Sequence, residues 1–543
     1  MTAEPIAPEK LEAAVAHYRS VLAGAPDNGD AWSNLGVVLR KLGRNEEALA
    51  AFARGEAACP GHADLAYNHG NALRAAGDPA AAVTRFRCAL DLQPDHLGAA
   101  LNLNLTLTAL GRFDAAVAVC RDALDRHPMQ PGLHANLGVS LWRQGKIEAA
   151  IACYGRALAL QPDAAQTRYN LGLALETIGD HMAAVAMLRE ARNLAPENAD
   201  FATGLGQSLL STGAVEPALA LFEAVLRRIP DHLDARLGIA RARLLSGDLG
   251  AAWDDYAWHR RRGLNPSPDL RSPAWDGGAL EGRTLLVQAE QGMGDTIQFA
   301  RYATQLAARG ARVLLRCPKP LLGMMATIDG VAAVADQALP PPAHDLHVLM
   351  MDLPARFETT LATIPGRTPY LTPSPARKAG KPGAVLRVGI TWAGSPNHQR
   401  DRQRSCALAD FAPVFAVPGL DIVSLQAAPG RAQLGESPFG PLVRDAAGRI
   451  RTFDDTAALL TELDLVITVD TALAHLAGAL GRPVWTVLSF APDWRWLLGR
   501  SDTPWYPTMR LYRQAAPRDW SGVFGTIAAD LARAARRHAG AAP

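Results

Sequence analysis

Proline recurs at positions 26, 60, 94, 128, 162, 196 and 230, every 34 residues. Glycine keeps the same period at 43, 77, 111, 145, 179, 213 and 247, and alanine at 14, 48, 82, 116, 150, 184, 218 and 252. A period of that length, held over half the chain, rules out one closed core for that half. Each unit buries its apolar face only against its neighbours. The pattern predicts a helix–turn–helix. Glycine breaks between the helices, the small alanine lets them approach, and proline stops the second helix. Four residues after each alanine stands Tyr18, Phe52, Phe86, Cys120, Tyr154, Leu188, Phe222 or Tyr256, which fills the next layer.

The period and pattern resemble tetratricopeptide repeats over residues 8–262, with an N-terminal half unit and seven full units. The resemblance implies an α-solenoid, a superhelix whose concave groove binds extended polypeptide. Asn34, Asn68, Asn102, Asn136 and Asn170 share the 34-residue register, and Gly204 breaks the series. An asparagine amide both donates and accepts, so it pairs with a peptide backbone whatever its sequence. Five in register resemble the asparagine ladder of O-GlcNAc transferase, which implies a protein acceptor gripped by its main chain. The competing reading is that these amides bond only within the repeats. Arg40 and Arg74, six residues after the first two asparagines, offer a preference for acidic peptide, but Thr108 and Trp142 hold the equivalent later positions, which favours a solvated face.

Charge bounds the class of partner. Lys and Arg total 55 against 53 acidic residues, a net charge of +2, which argues against a nucleic-acid binder. No run of 18 apolar residues predicts a membrane span. The opening MTAEPIAPEKLEAAVAHYRS lacks the basic and apolar regions of a secretory signal. The six cysteines are scattered without CxxC pairs. Reduced thiols in a cytoplasmic protein are expected.

The repeat decays at WHRRRGLNPSPDLRSPAWDGG (258–278), read as the solenoid cap and a connector, 263–282. Short apolar runs then alternate with helical stretches: TLLVQ (284–288), ARVLLRC (311–317), HDLHVLMMD (344–352), LRVGITWAG (386–394), LDIVSLQ (420–426), LDLVITVD (463–470), PVWTVLS (483–489) and MRLYRQ (509–514). Runs this apolar suit parallel strands covered on both faces. The Pro/Gly/basic break TPSPARKAGKPGA, within a linker at 372–385, divides two Rossmann-like lobes, 283–371 and 386–525. A C-terminal helix and tail, 526–543, complete the chain. Two such lobes facing across a cleft place their strand C-terminal ends at the binding site.

Two motifs carry the chemistry. QAEQGMGDTIQFARY (288–302) sets Gly292, Gly294 and Asp295 after the first strand. LVITVDTALAHLAGALGRPVW (465–485) ends a strand at Asp470 and starts a small-residue helix at Thr471. Free N–H groups and the dipole there make an anion site, which the small Ala472 lets a phosphate approach, with His475 one turn in. Simpler readings compete: Asp470 caps a helix around a buried His475, and Asp295 forms an Asp-x-x-Gln capping box with Gln298. TWAGSPNHQRDRQRSCAL (391–408) offers Thr391, Trp392 and a basic tail of His398, Arg400, Arg402 and Arg404 to the donor side. Gln426 is placed to read a base edge or ribose. Trp494, Trp496 and Trp505 either stack on a ligand or pack the lobes.

Together, GMGDTIQF and VDTALAHLAGALGRPV resemble the ADP-heptose heptosyltransferases, glycosyltransferase family nine. That resemblance implies the GT-B fold over about 283–525, a nucleotide-sugar donor with its phosphate near Thr471, and Asp295 as the catalytic base. An inverting transferase needs a carboxylate for the attacking hydroxyl and a positive environment for the departing phosphate. No DxD-type pair stands at a strand end, so neither a metal nor a cofactor is expected. Repeats fused to such a module resemble O-GlcNAc transferase and, more closely, the bacterial flagellin glycosyltransferases, whose donor can be CMP-linked. The expected function is transfer of a sugar from a nucleotide sugar to Ser or Thr of a protein recruited by the repeats, flagellin first. The alternatives are a glycan or lipid-linked acceptor with the repeats docking a partner, or a scaffold with an inactive α/β module. A dinucleotide oxidoreductase is disfavoured, because the first loop lacks the third glycine of GxGxxG.

Overall fold

The computed structural model describes residues 7–262, 269–373, 385–427 and 429–541. Residues 263–268 of the connector and 374–384 of the linker lie outside the described residues, as do 1–6, 428 and 542–543. The chain forms two compact units. One holds the residues up to Leu175 with Ala186–Pro196; the other holds Glu176–Val185 with the residues from Glu197 onward.

Among the described residues, a lone helix, Pro8–Gly24, precedes seven helix pairs. These run from Gly29–Lys41 with Asn45–Ala58 to Leu233–Ser246 with Leu249–Tyr256. Each pair turns on a glycine of the 34-residue series, with φ between +72° at Gly111 and +90° at Gly247. Other residues rarely adopt that left-handed backbone, which explains the period directly. Ala48, Ala82, Ala116, Ala150, Ala184, Ala218 and Ala252 are fully buried. A second glycine series admits the knobs: a methyl on Gly36 would lie 2.4 Å from the Phe52 ring, and one on Gly70 2.7 Å from Phe86.

In the first unit the five asparagines occupy one helical position, the sixth residue of helices Gly29–Lys41, Ala63–Ala75, Leu97–Ala109, Pro131–Arg143 and Ala165–Thr177. Their bonding is mixed. Asn68 Nδ2 donates to Ser33 Oγ at 2.8 Å, and Asn102 Nδ2 donates to Asn71 Oδ1 at 2.7 Å. Asn170 Oδ1 accepts from Gln166 Nε2 at 3.1 Å, whereas Asn34 is exposed and Asn136 half-buried. Three of the five amides thus bond within the array, Asn68 and Asn102 through Nδ2 and Asn170 through Oδ1.

The second unit contains two parallel sheets. β1 (Thr284–Gln288), β2 (Arg312–Cys317), β3 (Val331–Asp336) and β4 (Leu346–Leu349) stand in the order 3-2-1-4. β5 (Leu386–Thr391), β6 (Leu420–Ser424), β7 (Val443–Asp445), β8 (Leu465–Val469), β9 (Val484–Leu488) and β10 (Met509–Arg513) stand in the order 10-9-8-5-6-7. This is the two-lobed GT-B type of architecture. Each sheet reverses its winding once, between β1 and β4 and between β5 and β8, and such reversals open a crevice at the strand C-termini. β3 and β7 were not among the expected runs. β3, VAAVAD, is alanine-rich and partly exposed at a sheet edge, and β7 is three residues long, so neither shows the apolar signature of a central strand.

The repeat end and the α/β module share this unit's packing. Trp253, nearly fully buried, donates from Nε1 to Thr359 O at 2.7 Å. Arg260 pairs with Asp352 at 3.1 Å. The turn before His181 accepts hydrogen bonds too: Gln403 Nε2 donates to Glu176 O at 2.7 Å and Arg518 Nε to Ile178 O at 2.9 Å. The final helix, Ser521–Ala541, buries Val523, Phe524, Ile527 and Leu531 against Val388, Ile390 and Trp392 of the second sheet.

Candidate functional site

The cleft is built at the two winding reversals. After β1 the chain turns at Gly292, the N-cap of helix Met293–Phe299. Asp295 is the third residue of that helix, and its Oδ2 accepts from the Gly292 N–H at 2.9 Å. The capping partner is therefore Gly292, not Gln298, because the helix begins ahead of Asp295. Gln298 is fully buried. On the second lobe β5 and β8 lie side by side, with Thr391 and Thr468 joined Oγ1 to Oγ1 at 2.6 Å. Beyond β8 the chain passes Asp470 and enters helix Ala472–Ala479, whose N-cap is Thr471. No side chain caps this helix, so the expectation that Asp470 does so is corrected. The Ala474 N–H turns back to Thr471 O at 3.0 Å, and no side chain takes the N–H groups of Ala472 and Leu473 ahead of it.

Both loops line one cavity of about 840 Å³, the size of a small-ligand site. Gly292, Gly294 and Asp295 form one wall; Thr391, Arg404, Gln426, Asp470, Thr471, Ala472 and His475 belong to the other. The walls touch at Gly294, where an added Cβ would stand 2.9 Å from His475 Cδ2 and 3.5 Å from Ala472 Cα. The absent side chain at Gly294 lets the two signature loops meet.

Several expected donor residues take other parts. Trp392 does not line the cavity; it is fully buried in the core with Phe411 and Phe524. As the neighbour of Thr391 on an extended segment, its side chain falls on the opposite face. Gln426 lines the cavity, but its amide clamps the loop instead of reading a base. Oε1 accepts from the Trp392 and Ala393 N–H groups at 3.0 Å, and Nε2 donates to Ala393 O at 3.0 Å and Pro429 O at 2.8 Å. Arg404 Nη1 donates to Asp470 O at 3.0 Å, which ties the basic segment to the helix entrance. His398 and Arg400 also line the cavity. Trp494, Trp496 and Trp505 are buried and pack the lobes.

Burial sets the protonation of this site. It pushes the Asp470 carboxyl up to about 6, with Asp493 adding to the effect. It also pushes His475 down to about 3, aided by the charge of Arg495. The imidazole is thus neutral near pH 7. It lies 3.1 Å through Nδ1 from the Tyr506 hydroxyl and stacks on Trp496 at 5.2 Å.

Arg495 and Asp493 were not anticipated. Arg495 Nη2 donates to Asp295 Oδ1 and Nη1 to Asp493 Oδ1 at 2.8 Å. Its guanidinium lies 4.5 Å from the Trp494 ring centroid. Burial opposes this charge, but Asp295 and Asp493 outweigh it, and the arginine's pKa is raised. The available signal was two opposite charges inside the apolar stretch SFAPDWRWLLG (489–499) just after a strand. Arg451, Thr452 and Phe453, which also line the cavity, carried no motif. Among the described residues, no group of three or more His, Cys, Asp or Glu is placed to hold a metal ion.

Comparison with known proteins bears on both halves. A tetratricopeptide repeat model matches residues 9–63, 67–131, 177–228 and 203–257, and a second TPR repeat model matches 143–179. A glycosyltransferase family 9 (heptosyltransferase) model matches 444–495, which spans Asp470–His475 and Arg495 but not Asp295. Protein FlbA of Caulobacter vibrioides is 28% identical over 324 residues, 53% of this chain; the chain spans about half, 53%, of that relative's length. Among solved structures, a thermophilic TPR protein of Thermus thermophilus is 28% identical with a TM-score of 0.30, over 34% of this chain and 100% of its own. The APC/C hetero-tetramer Cut9–Hcn1 is 21% identical with a TM-score of 0.37, over 43% of this chain and 46% of its own.

Proposed function

We propose that this chain, a tetratricopeptide-repeat array fused to a family-nine-type glycosyltransferase module, is an inverting protein O-glycosyltransferase working in the cytoplasm. The observation that carries this reading is that Asp295 and the uncapped helix at Thr471–Ala472 line a single cavity from opposite lobes. In the proposed reaction Asp295 takes the proton of an acceptor Ser or Thr hydroxyl. The oxygen attacks the anomeric carbon of a nucleotide sugar as the bond from that carbon to the phosphate oxygen breaks. The electron pair leaves with the phosphate, stabilised by the first N–H groups of the Ala472–Ala479 helix and by Arg404. A single displacement inverts the anomeric centre. Neutral His475 is suited to donate a hydrogen bond to the sugar or phosphate without adding charge.

Protein recruitment by the repeats is the second part of the proposal, with flagellin the acceptor to test first on the resemblance already noted. Its support is the shared helical position of the five asparagines. Among the described residues no bond is made to Oδ1 of Asn68 or Asn102, so those oxygens can accept from a peptide N–H. No described helix is long and apolar enough to cross a membrane.

The test is intact-mass measurement of candidate proteins incubated with the purified chain and a panel of nucleotide sugars. A sugar mass on protein supports the reading. Turnover only with a glycan acceptor favours the docking alternative, and no donor binding favours a scaffold. Asp295→Asn is expected to lower transfer by about a hundredfold or more. Unchanged transfer would remove Asp295 as the base.

A further inference from the structure

Arg495 joins the two walls of the cleft. It sits just after β9 on the second lobe, yet its guanidinium reaches Asp295 on the first. The side chain is only 9% exposed, and it lines the cavity. Its other terminal nitrogen is held by Asp493. Neither carboxylate takes the guanidinium fork as a bidentate pair, and Nε is buried without a partner. Each terminal nitrogen thus gives one hydrogen bond to a carboxylate and carries a second N–H that an oxyanion can take. Arg495 lines the cavity together with Asp470, Thr471 and His475, so it faces the uncapped helix as well as Asp295.

We propose that Arg495 changes partner on donor binding: it holds Asp295 in the empty cleft and transfers its fork to the donor's phosphate, releasing Asp295 for the acceptor hydroxyl. This rests on the donor-site reading above and deepens it. Asp493 keeps one nitrogen throughout and so pivots the side chain instead of releasing it. The exchange conserves charge pairing, because one oxyanion replaces another on the same cation. It also imposes an order. Donor binds first, and Asp295 is unavailable to an acceptor until the phosphate has arrived. In this role Arg495 is a positioning residue for the base as well as a phosphate ligand.

Competition between Asp295 and phosphate has a consequence that a structural ion pair would not share. Removing Asp295's charge must tighten phosphate binding, and only while Arg495 is present. The experiment is a double-mutant cycle on the full-length chain. Calorimetric titration uses inorganic pyrophosphate, cytidine monophosphate and the diphosphates of adenosine, guanosine, cytidine and uridine as probes. Asp295→Asn alone is expected to tighten the best-bound probe by about tenfold. Arg495→Met is expected to weaken it by a similar factor, and Asp295→Asn in that background to tighten nothing. Arg495→Gln replaces Arg495→Met if the latter does not fold. Tightening that persists without Arg495 reports simple charge repulsion and overturns the exchange, as does an absence of tightening in Asp295→Asn. In both cases probe binding leaves the donor-site reading intact. If no probe binds any variant, the donor-site reading falls and takes this proposal with it.

Discussion

Asp295 and Asp470 face one cavity in contrasting surroundings. Asp295 has a backbone N–H on one oxygen and Arg495 on the other. The Asp470 carboxyl is pushed up to about 6 from the ordinary 3.8, chiefly by burial. Below pH 3.8 Asp470 is neutral in both folded and unfolded chains and costs nothing. As pH rises through 6 the folded state must hold a charge that burial disfavours, so the stability this group allowed at low pH is lost. Asp470→Asn is therefore expected to stabilise the fold at about pH 8 by up to about 3 kcal/mol and to change little at about pH 4. The readout is the difference in Tm between variant and wild type across that range; a difference independent of pH would refute the assignment. Candidate residues were legible here to the extent that they follow strand ends: Asp470 and Thr471 come directly after β8, and Asp295 lies in the turn and helix that follow β1. Trp392 and Gln426 were misassigned because the strand-end position alone does not say which face a side chain takes, nor whether an amide is already satisfied. Arg495 was missed because its significance is a contact across 200 residues.

The same distinction holds for helices and turns. Where an element answers to local rules, its residues announce it: positive φ explains the glycines of the repeat turns, and a ring against the backbone explains Gly36 and Gly70. Gly294 is different. Its φ is not unusual, and what excludes a side chain is the arrival of His475 and Ala472 from the other lobe. In an ordinary helix, glycine to alanine stabilises by about 1 kcal/mol. At Gly294 the new methyl overlaps His475, and overpacking of this kind costs about 1–3 kcal/mol. Gly294→Ala is therefore predicted to lower Tm and to weaken nucleotide binding by separating the two loops. A raised Tm with unchanged affinity would show that the loops do not depend on this approach. The edge strands β3 and β7 escaped notice for a related reason: their pairing, not their composition, makes them strands.

For the molecule as a whole, the last repeat helices are part of the second compact unit, together with the α/β module. Trp253, in the helix Leu249–Tyr256, packs edge-on against Trp494 at 6.1 Å while donating to Thr359 O. Trp253→Ala is expected to destabilise that unit by about 3–5 kcal/mol. The measurement is thermal unfolding followed by a signal specific to the module, such as loss of nucleotide binding. If nucleotide binding persists to the same temperature, the repeat end is not integral to the module. The 34-residue period by itself determined the solenoid, because each unit repeats one set of short-range contacts and writes them into the sequence at fixed spacing. Alternating apolar runs likewise determined a parallel α/β module, since burial on both faces demands them. Only the tertiary structure decided that Asp295 and Thr471 share a cavity, that Arg495 reaches Asp295 across it, and which neighbouring side chains turn inward to the core. Those outcomes depend on strand order and on contacts between distant segments, and no periodicity along the chain records them.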